Sequence, residues 1–295
     1  MSRIGFVGVG RMGEPMAANL AAAGHALTIY DLDRDRAAAV AKRIGATAGS
    51  LEEIARCDVL ITMLPTSDDV QEVLLRAEEG AVLRHAKRGT LVVDMSSSEP
   101  TVTRATGAAL AEADIAMIDA PVSGGVVRAA DGSLTIMVGS DDPAAADRAM
   151  PILETLGGQI FRVGRLGAGD AMKAANNYAA AATYAATAEA LSMGKRFGLD
   201  PAQMVEILNR STGRSFVSEL VMKDHVVTGA YATGFALALL TKDAGIAARL
   251  ADELELDAPV SRLVHQRMQS AVEQCGKGAD HSEAIRGWYP YLWEE

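Results

Sequence analysis

RIGFVGVGRMGEPMAANLAAAG, residues 3–24, decides the fold. An apolar run over Arg3–Val9 meets glycines at 8, 10 and 13, and a helical pattern follows over Met12–Ala23. Gly8 permits a tight strand-to-helix turn, Gly10 lets backbone amides approach a pyrophosphate, and Gly13 lets the helix pack closely on a sheet. Unpaired N–H groups and the dipole at the helix N-terminus both favour negative charge there. Gly24 follows the last turn, where left-handed geometry favours glycine. A lone G-x-G-x-x-G is a weak signal; the strand before it and the helix after it make it a nucleotide site.

A second strand over His25–Asp31 ends IYDLD and leads into a helix that runs to about Ile44. Asp31 falls at about the offset, some 20 residues on, where a carboxylate accepts hydrogen bonds from an adenosine ribose. It would also repel a 2′-phosphate, so NAD is favoured over NADP. Arg34 and Arg36 read as solvated helix residues. Asp58–Leu64 and Thr90–Asp94 are continuous apolar runs of the kind a sheet covered on both faces requires. Ala116–Ala120 and Thr135–Val138 continue the sheet, with Ile160–Val163 as its last strand. Repeated βα units with short loops predict an α/β, doubly wound, mainly parallel sheet of the Rossmann type.

After Gly164 the pattern changes. Asp170–Phe197 reads as one helix, about 42 Å long at ~1.5 Å per residue. The remainder is helical in period, with breaks at Gly198–Pro201, Thr212–Gly213, Gly229 and Asp257–Pro259. The expected organisation is a nucleotide-binding domain over 1–164 and an all-α domain for substrate binding and oligomerisation over 165–295, opened by the long connecting helix.

The composition, 49% apolar and 22% charged over 295 residues, is that of a globular chain with room for two cores. A net charge of −10 argues against nonspecific nucleic-acid binding, so an anionic substrate must be held by local donors. Cys57 and Cys275 give neither a disulfide framework nor zinc spacing, which points to a reducing cytoplasm and no metal. His225, His265 and His281 have no metal-ligand spacing either; His25 and His85 read as solvent-facing and Cys57 as a buried apolar filler. The opening residues enter a strand at once, leaving no room for a signal peptide. Ala171–Met193 is apolar but carries Lys173, Asn176, Asn177 and Glu189, so it is a protein helix and not a membrane span. The closing WYPYLW, residues 288–293, either caps the helical domain or packs on a partner subunit. An exposed apolar tail is a liability in a monomer, which favours a homo-oligomer, dimer or tetramer.

Two further strings carry chemistry. In DAPVSGG, residues 119–125, Ser123 offers a hydroxyl while Gly124 and Gly125 offer unobstructed amides, a concave anion site. In GAGDAMKAANN, residues 167–177, Lys173 and Asn177 share one helical face. An amine on an alanine-rich face is costly to bury without a task. Beside a nicotinamide ring its pKa would fall, fitting it for general acid–base catalysis.

With these residues the chain resembles the β-hydroxyacid dehydrogenases, the group of 3-hydroxyisobutyrate dehydrogenase and tartronate semialdehyde reductase, related to 6-phosphogluconate dehydrogenase. The resemblance spans essentially the whole chain. It implies cofactor contacts from Gly8, Gly10, Arg11, Met12 and Gly13, from Leu64, Pro65 and Asp69 in MLPTSDD, from Ser97 in DMSSSEP, and from Lys242 in a KD motif. It implies that Ser123, Gly124 and Gly125 grip a substrate carboxylate. Lys173 is the implied general acid/base, and Asn177 holds the lysine or the substrate hydroxyl. The implied reaction is reversible, NAD-dependent oxidation of a small 3-hydroxy acid, 3-hydroxyisobutyrate-like or glycerate- or serine-like, to its semialdehyde. The loop NRSTGRSFVSE, Asn209–Glu219, resembles that of 3-hydroxyisobutyrate dehydrogenases, whereas DHS at Asp280–Ser282 resembles tartronate semialdehyde reductases, leaving the C2 substituent open. Arg214 is placed to bind a second anionic group or to be a solvated loop residue. The alternative is an NADPH-dependent glyoxylate or succinic semialdehyde reductase; relatives there end the second strand in Asn-Arg, where this chain has Asp31–Leu32. A noncatalytic nucleotide-binding module is disfavoured by the presence of Lys173.

Overall fold

The computed structural model describes residues 2–77 and 82–293. The chain forms two compact units, divided between Lys173 and Ala174.

The first unit is built on one sheet. Its elements are β1 (Arg3–Val7), α1 (Gly13–Ala22), β2 (Ala26–Tyr30), α2 (Arg34–Ile44), β3 (Thr47–Ala48), α3 (Leu51–Ala55), β4 (Val59–Thr62), α4 (Ser67–Gln71), α5 (Val82–His85), β5 (Leu91–Asp94), α6 (Pro100–Ala111), β6 (Ala116–Asp119), β7 (Val122–Ser123), α7 (Gly125–Asp131), β8 (Leu134–Gly139), α8 (Pro143–Leu153) and β9 (Gly157–Gly164). Strand order is β3-β2-β1-β4-β5-β6-β8-β7, with β9 paired to β8. From β3 to β6 every pair is parallel, and β1 lies between β2 and β4, the reversal point of a doubly wound sheet.

The expected strands are all present, with ends that coincide or shift by at most three residues. β8 runs antiparallel to β6 and β7. The ten residues between Ser123 and Leu134 are too few for a parallel crossover, which needs a dozen or more.

Alternating residues of the central strands supply two cores, one per face. Ile4, Phe6, Val59, Ile61, Leu91 and Val93 enter one; Val7, Leu60 and Val92 enter the other. Burying each such side chain contributes about 1.5–3 kcal/mol, so both faces must stay covered. This is why the strands read as unbroken apolar runs.

α9 (Ala168–Phe197) is 30 residues long, two more than its sequence pattern suggested. The second unit adds α10 (Pro201–Asn209), a π-helical segment Val217–Val226, α11 (Leu237–Glu253), α12 (Pro259–Cys275) and α13 (Ala284–Trp288). Its core gathers Tyr184, Ala188 and Leu191 of α9, Leu240 and Ala244 of α11, Met268 of α12, and Trp288. The Tyr184 hydroxyl donates to the Ser282 carbonyl (2.7 Å) and accepts from the Ile285 N–H (3.3 Å). Of the two readings of WYPYLW, packing inside this unit holds: Trp288 and Leu292 are buried, and the Trp288 indole donates to the Arg267 carbonyl (3.0 Å). No helix among the described residues is long and apolar enough to cross a membrane.

His25 departs from expectation. It is half-buried rather than solvent-facing, with its Nδ1 enclosed, in the turn between α1 and β2 where its N–H donates to the Leu20 carbonyl (3.2 Å). His85 is exposed as expected, and Cys57 is buried, which pushes its thiol pKa up.

Candidate active site

The C-terminal ends of β1, β4, β5 and β6 bring the motif residues of the first unit to one rim of the sheet. Gly8 adopts φ +93° and donates its N–H to the Tyr30 carbonyl (2.9 Å). A Cβ on Gly13 would lie 1.9 Å from the Gly8 carbonyl oxygen, so backbone packs directly on backbone in this turn. At Gly10 a Cβ would meet nothing within 4 Å. That opening at the head of α1, beside donor N–H groups, fits a dinucleotide pyrophosphate. Arg11 is exposed there, and Met12 packs against the core.

Asp31 follows β2 and is nearly buried. Its Oδ2 accepts from the Val9 N–H (3.0 Å) and its Oδ1 from the Asp33 N–H (3.0 Å), tying the glycine turn to the second strand. Each oxygen keeps a lone pair for a ribose hydroxyl. The two following arginines are solvent-exposed, as expected, and each also makes a surface contact. The Arg36 guanidinium lies 3.1 Å from Asp33 and 3.6 Å from Asp31, while Arg34 stacks 4.1 Å over the Tyr30 ring.

The loop after β4 is held from two sides. The Leu64 N–H donates to Ser96 Oγ (2.9 Å). Thr66 caps α4, and Asp69 closes a capping box by accepting from the Thr66 N–H (3.1 Å) and hydroxyl (2.6 Å). Pro65 lies between these anchors. Ser97 lies in the loop after β5, whose backbone is fixed by Asp94 through the Ser96 N–H (3.0 Å).

Ser123 ends β7, and the two glycines after it both have positive φ, +135° at Gly124 and +67° at Gly125. A Cβ on Gly125 would meet nothing within 4 Å, so no neighbouring atom crowds the turn at this position. Lys173 is only 9% exposed, an unusual state for a lysine.

In the second unit, Asn177 is buried and its carboxamide is oriented. Nδ2 donates to Asp243 Oδ2 (2.5 Å), and Oδ1 accepts from Asn176 Nδ2 (3.0 Å). Asp243 is also 3.2 Å from the Lys242 ammonium. The KD dipeptide was the only sequence sign of Asp243. Arg214 pairs with Glu219 at 2.8 Å and remains largely exposed. Among the described residues no cluster of three or more His, Cys, Asp or Glu side chains could hold a metal.

Two family models cover the chain. Residues 3–164 match the NAD-binding domain of 6-phosphogluconate dehydrogenase, and residues 167–288 match the NAD-binding region of NADP-dependent 3-hydroxyisobutyrate dehydrogenase. The 2-(hydroxymethyl)glutarate dehydrogenase of Eubacterium barkeri is 38% identical over 97% of this chain and 94% of its own. The NAD-dependent L-serine dehydrogenase of Pseudomonas aeruginosa is 37% identical over 89% of this chain and 90% of its own. A structure of Mycobacterium tuberculosis 3-hydroxyisobutyrate dehydrogenase with L-serine superposes with a TM-score of 0.86 at 31% identity, covering 98% of this chain and 99% of that one. Fold, glycine turn and relatives together define an NAD(P)-dependent oxidoreductase acting on a CH–OH group. The chain belongs to the β-hydroxyacid dehydrogenase family.

Proposed function

We propose that the protein oxidises a small 3-hydroxy carboxylic acid reversibly to its semialdehyde, using NAD, with Lys173 as the general base. The observation that carries this reading is the burial of Lys173. NAD, when bound, accepts the hydride released from C3. Lys173 takes the proton of the 3-hydroxyl and, in the reverse direction, returns it to the aldehyde oxygen. Ser123, Gly124 and Gly125 hold the carboxylate and fix its orientation, a positional contribution to the rate. Asn177 orients the amine or the substrate hydroxyl, and its own orientation by Asp243 supports that role.

Gly8, Gly10, Arg11, Met12 and Gly13 are assigned to the pyrophosphate, Asp31 to the ribose, and Leu64, Pro65, Asp69, Ser97 and Lys242 to the rest of the cofactor. Asp69 already caps α4, so its part is to shape the loop. The preference for NAD rests on the Asp31 carboxylate. We assign residues 1–164 to nucleotide binding and 165–295 to substrate binding and assembly. The burial of Trp288 and Leu292 within the second unit weakens the exposed-tail argument for an oligomer. A dimer or tetramer is supported instead by exposed Met193, Phe197, Ile207, Leu254 and Leu263 on the second unit. Free Cys57 and Cys275 support a cytoplasmic location.

The test is reduction of NAD, and separately NADP, followed by nicotinamide absorbance with 3-hydroxyisobutyrate, glycerate, serine, 3-hydroxypropionate and 4-hydroxybutyrate. Lys173→Ala should lower turnover by about two to four orders of magnitude while NADH still binds. Near-normal turnover in that variant would remove Lys173 from its role. Activity confined to NADP and 4-hydroxybutyrate would establish the semialdehyde-reductase reading instead.

A further inference from the structure

The start of α9 is gripped by carboxylates that the reaction itself does not use. Asp119, fully buried at the end of β6, accepts the Gly167 N–H on Oδ1 (2.7 Å) and the Asp170 N–H on Oδ2 (2.8 Å). Its carboxylate fills space that only glycine leaves. A Cβ on Gly139 would lie 2.3 Å from Oδ1, and one on Gly169 would lie 2.7 Å from Oδ2. Asp170 then reaches back to the sheet, accepting from the Ser98 N–H (3.1 Å) and the Thr103 hydroxyl (2.7 Å). Ser98 Oγ donates to Asp94 Oδ2 (2.9 Å), and Asp94 Oδ1 accepts from the Thr62 hydroxyl (2.8 Å). One buried hydrogen-bonded chain thus joins the ends of β4, β5 and β6 to the first turn of α9.

This arrangement is expensive. Burial pushes Asp119 up to about 6, and burial together with repulsion from Asp119 and Asp94 raises Asp170 well above the ordinary carboxylate range. Keeping a carboxylate ionised in such a core costs several kcal/mol of lost hydration, on the order of the penalty for any buried ion. The geometry gives the reason for tolerating it. Both Asp119 oxygens face N–H donors, a demand a neutral amide cannot meet because its NH₂ would oppose one of them. Asp170 stands three residues before Lys173, a rise of about 4.5 Å along the same helix.

We infer that Asp119 and Asp170 are positioning residues for the general base, fixing the first turn of α9 and with it the lysine amine. The inference rests on the reading of Lys173 given above. A displacement of about 1 Å at a reacting group can cost roughly 100-fold in rate, so the grip need not touch substrate to govern turnover.

The test is a double-mutant cycle between Asp119→Asn and Lys173→Ala, with NADH affinity and hydrogen exchange measured on each variant. Asp119→Asn should lower kcat by about 10- to 100-fold, with substrate KM and NADH Kd within about twofold of the parent. Exchange should accelerate in the peptide over residues 165–173, where the Asp119-bound amides lie, in the cofactor-free protein. In the Lys173→Ala background the same substitution should add no further loss, since the residue it positions is gone. Unchanged kcat in Asp119→Asn, or a loss that multiplies with that of Lys173→Ala, would overturn the inference. Normal turnover in Lys173→Ala alone would instead refute the general-base reading. Should Asp119→Asn fail to fold, Thr103→Val removes one donor to Asp170. It is expected to lower kcat severalfold in the parent and not in the Lys173→Ala background, and full turnover in Thr103→Val would overturn the proposal.

Discussion

Gly10→Ala separates what the glycine turn does for the fold from what it does for the cofactor. A methyl there meets nothing within 4 Å, and Gly10 is not among the glycines with positive φ. The folded chain therefore accepts it without strain. Replacing glycine at a compatible position restricts the unfolded chain and stabilises by about 0.4–1 kcal/mol, or roughly 1–4 °C in Tm for a unit of this size. The opening that accepts the methyl is the one assigned to the pyrophosphate. Forcing an extra methyl into a filled contact costs about 1–3 kcal/mol, which weakens binding by about 5- to 150-fold. Thermal unfolding of the cofactor-free variant and NADH fluorescence titration read the two effects separately. The expected pair is an equal or higher Tm with a clearly weaker NADH Kd. Parent affinity for NADH in Gly10→Ala would show that no cofactor backbone approaches this position, and the assignment of the turn would fall with it.

Asp31→Ala should weaken NAD by about 10- to 100-fold through lost charge-assisted hydrogen bonds and narrow the preference over NADP; an unchanged ratio of kcat/KM for the two would exclude Asp31 as the ribose reader. Asp119, pushed up to about 6, and Asp170, raised well above the ordinary carboxylate range, keep protons when folded that the unfolded chain releases near pH 4. Their contribution to stability is therefore complete below about pH 4 and is lost as pH rises through about 6 and beyond, about 3 kcal/mol for Asp119. Tm measured from pH 4.5 to 7.5 should accordingly fall less steeply in Asp170→Asn than in the parent, and equal slopes would count against the raised values. Tyr184→Phe strands the Ser282 carbonyl and the Ile285 N–H in a dry core and should cost about 1–3 kcal/mol; an unchanged denaturation midpoint would mean the two groups find other partners.

The parallel strands were legible because both faces of the sheet are buried, so Val59–Thr62 and Leu91–Asp94 are apolar up to their last residues, Thr62 and Asp94. The glycine turn was legible because its geometry admits no other residue at Gly8 or Gly13. Strand direction was not. β8 reads like any other apolar run, and its reversal follows from the short path through α7, a tertiary fact. The sequence also shows Asp119 and Asp170 inside the two site motifs without marking them as buried, since burial of a carboxylate depends on donors brought from Ser98, Thr103 and Gly167. Asp69 reads as a cofactor contact in its motif, while its hydrogen bonds are those of a helix cap. The π-helical segment Val217–Val226 follows a correctly placed break at Thr212–Gly213, but nothing in VSELVMKDHV distinguishes a wide helical turn from an ordinary one.

The loops around the nucleotide rim are tied to the protein by its own groups: Val9 to Asp31, Leu64 to Ser96, and Thr66 to Asp69. Each of these bonds freezes backbone freedom during folding, so that entropy is already lost before a cofactor arrives. Loop ordering otherwise opposes association strongly. The consequence is thermodynamic and kinetic. Cofactor binding at this rim should proceed with a small unfavourable conformational entropy and an association rate governed by encounter rather than by loop rearrangement.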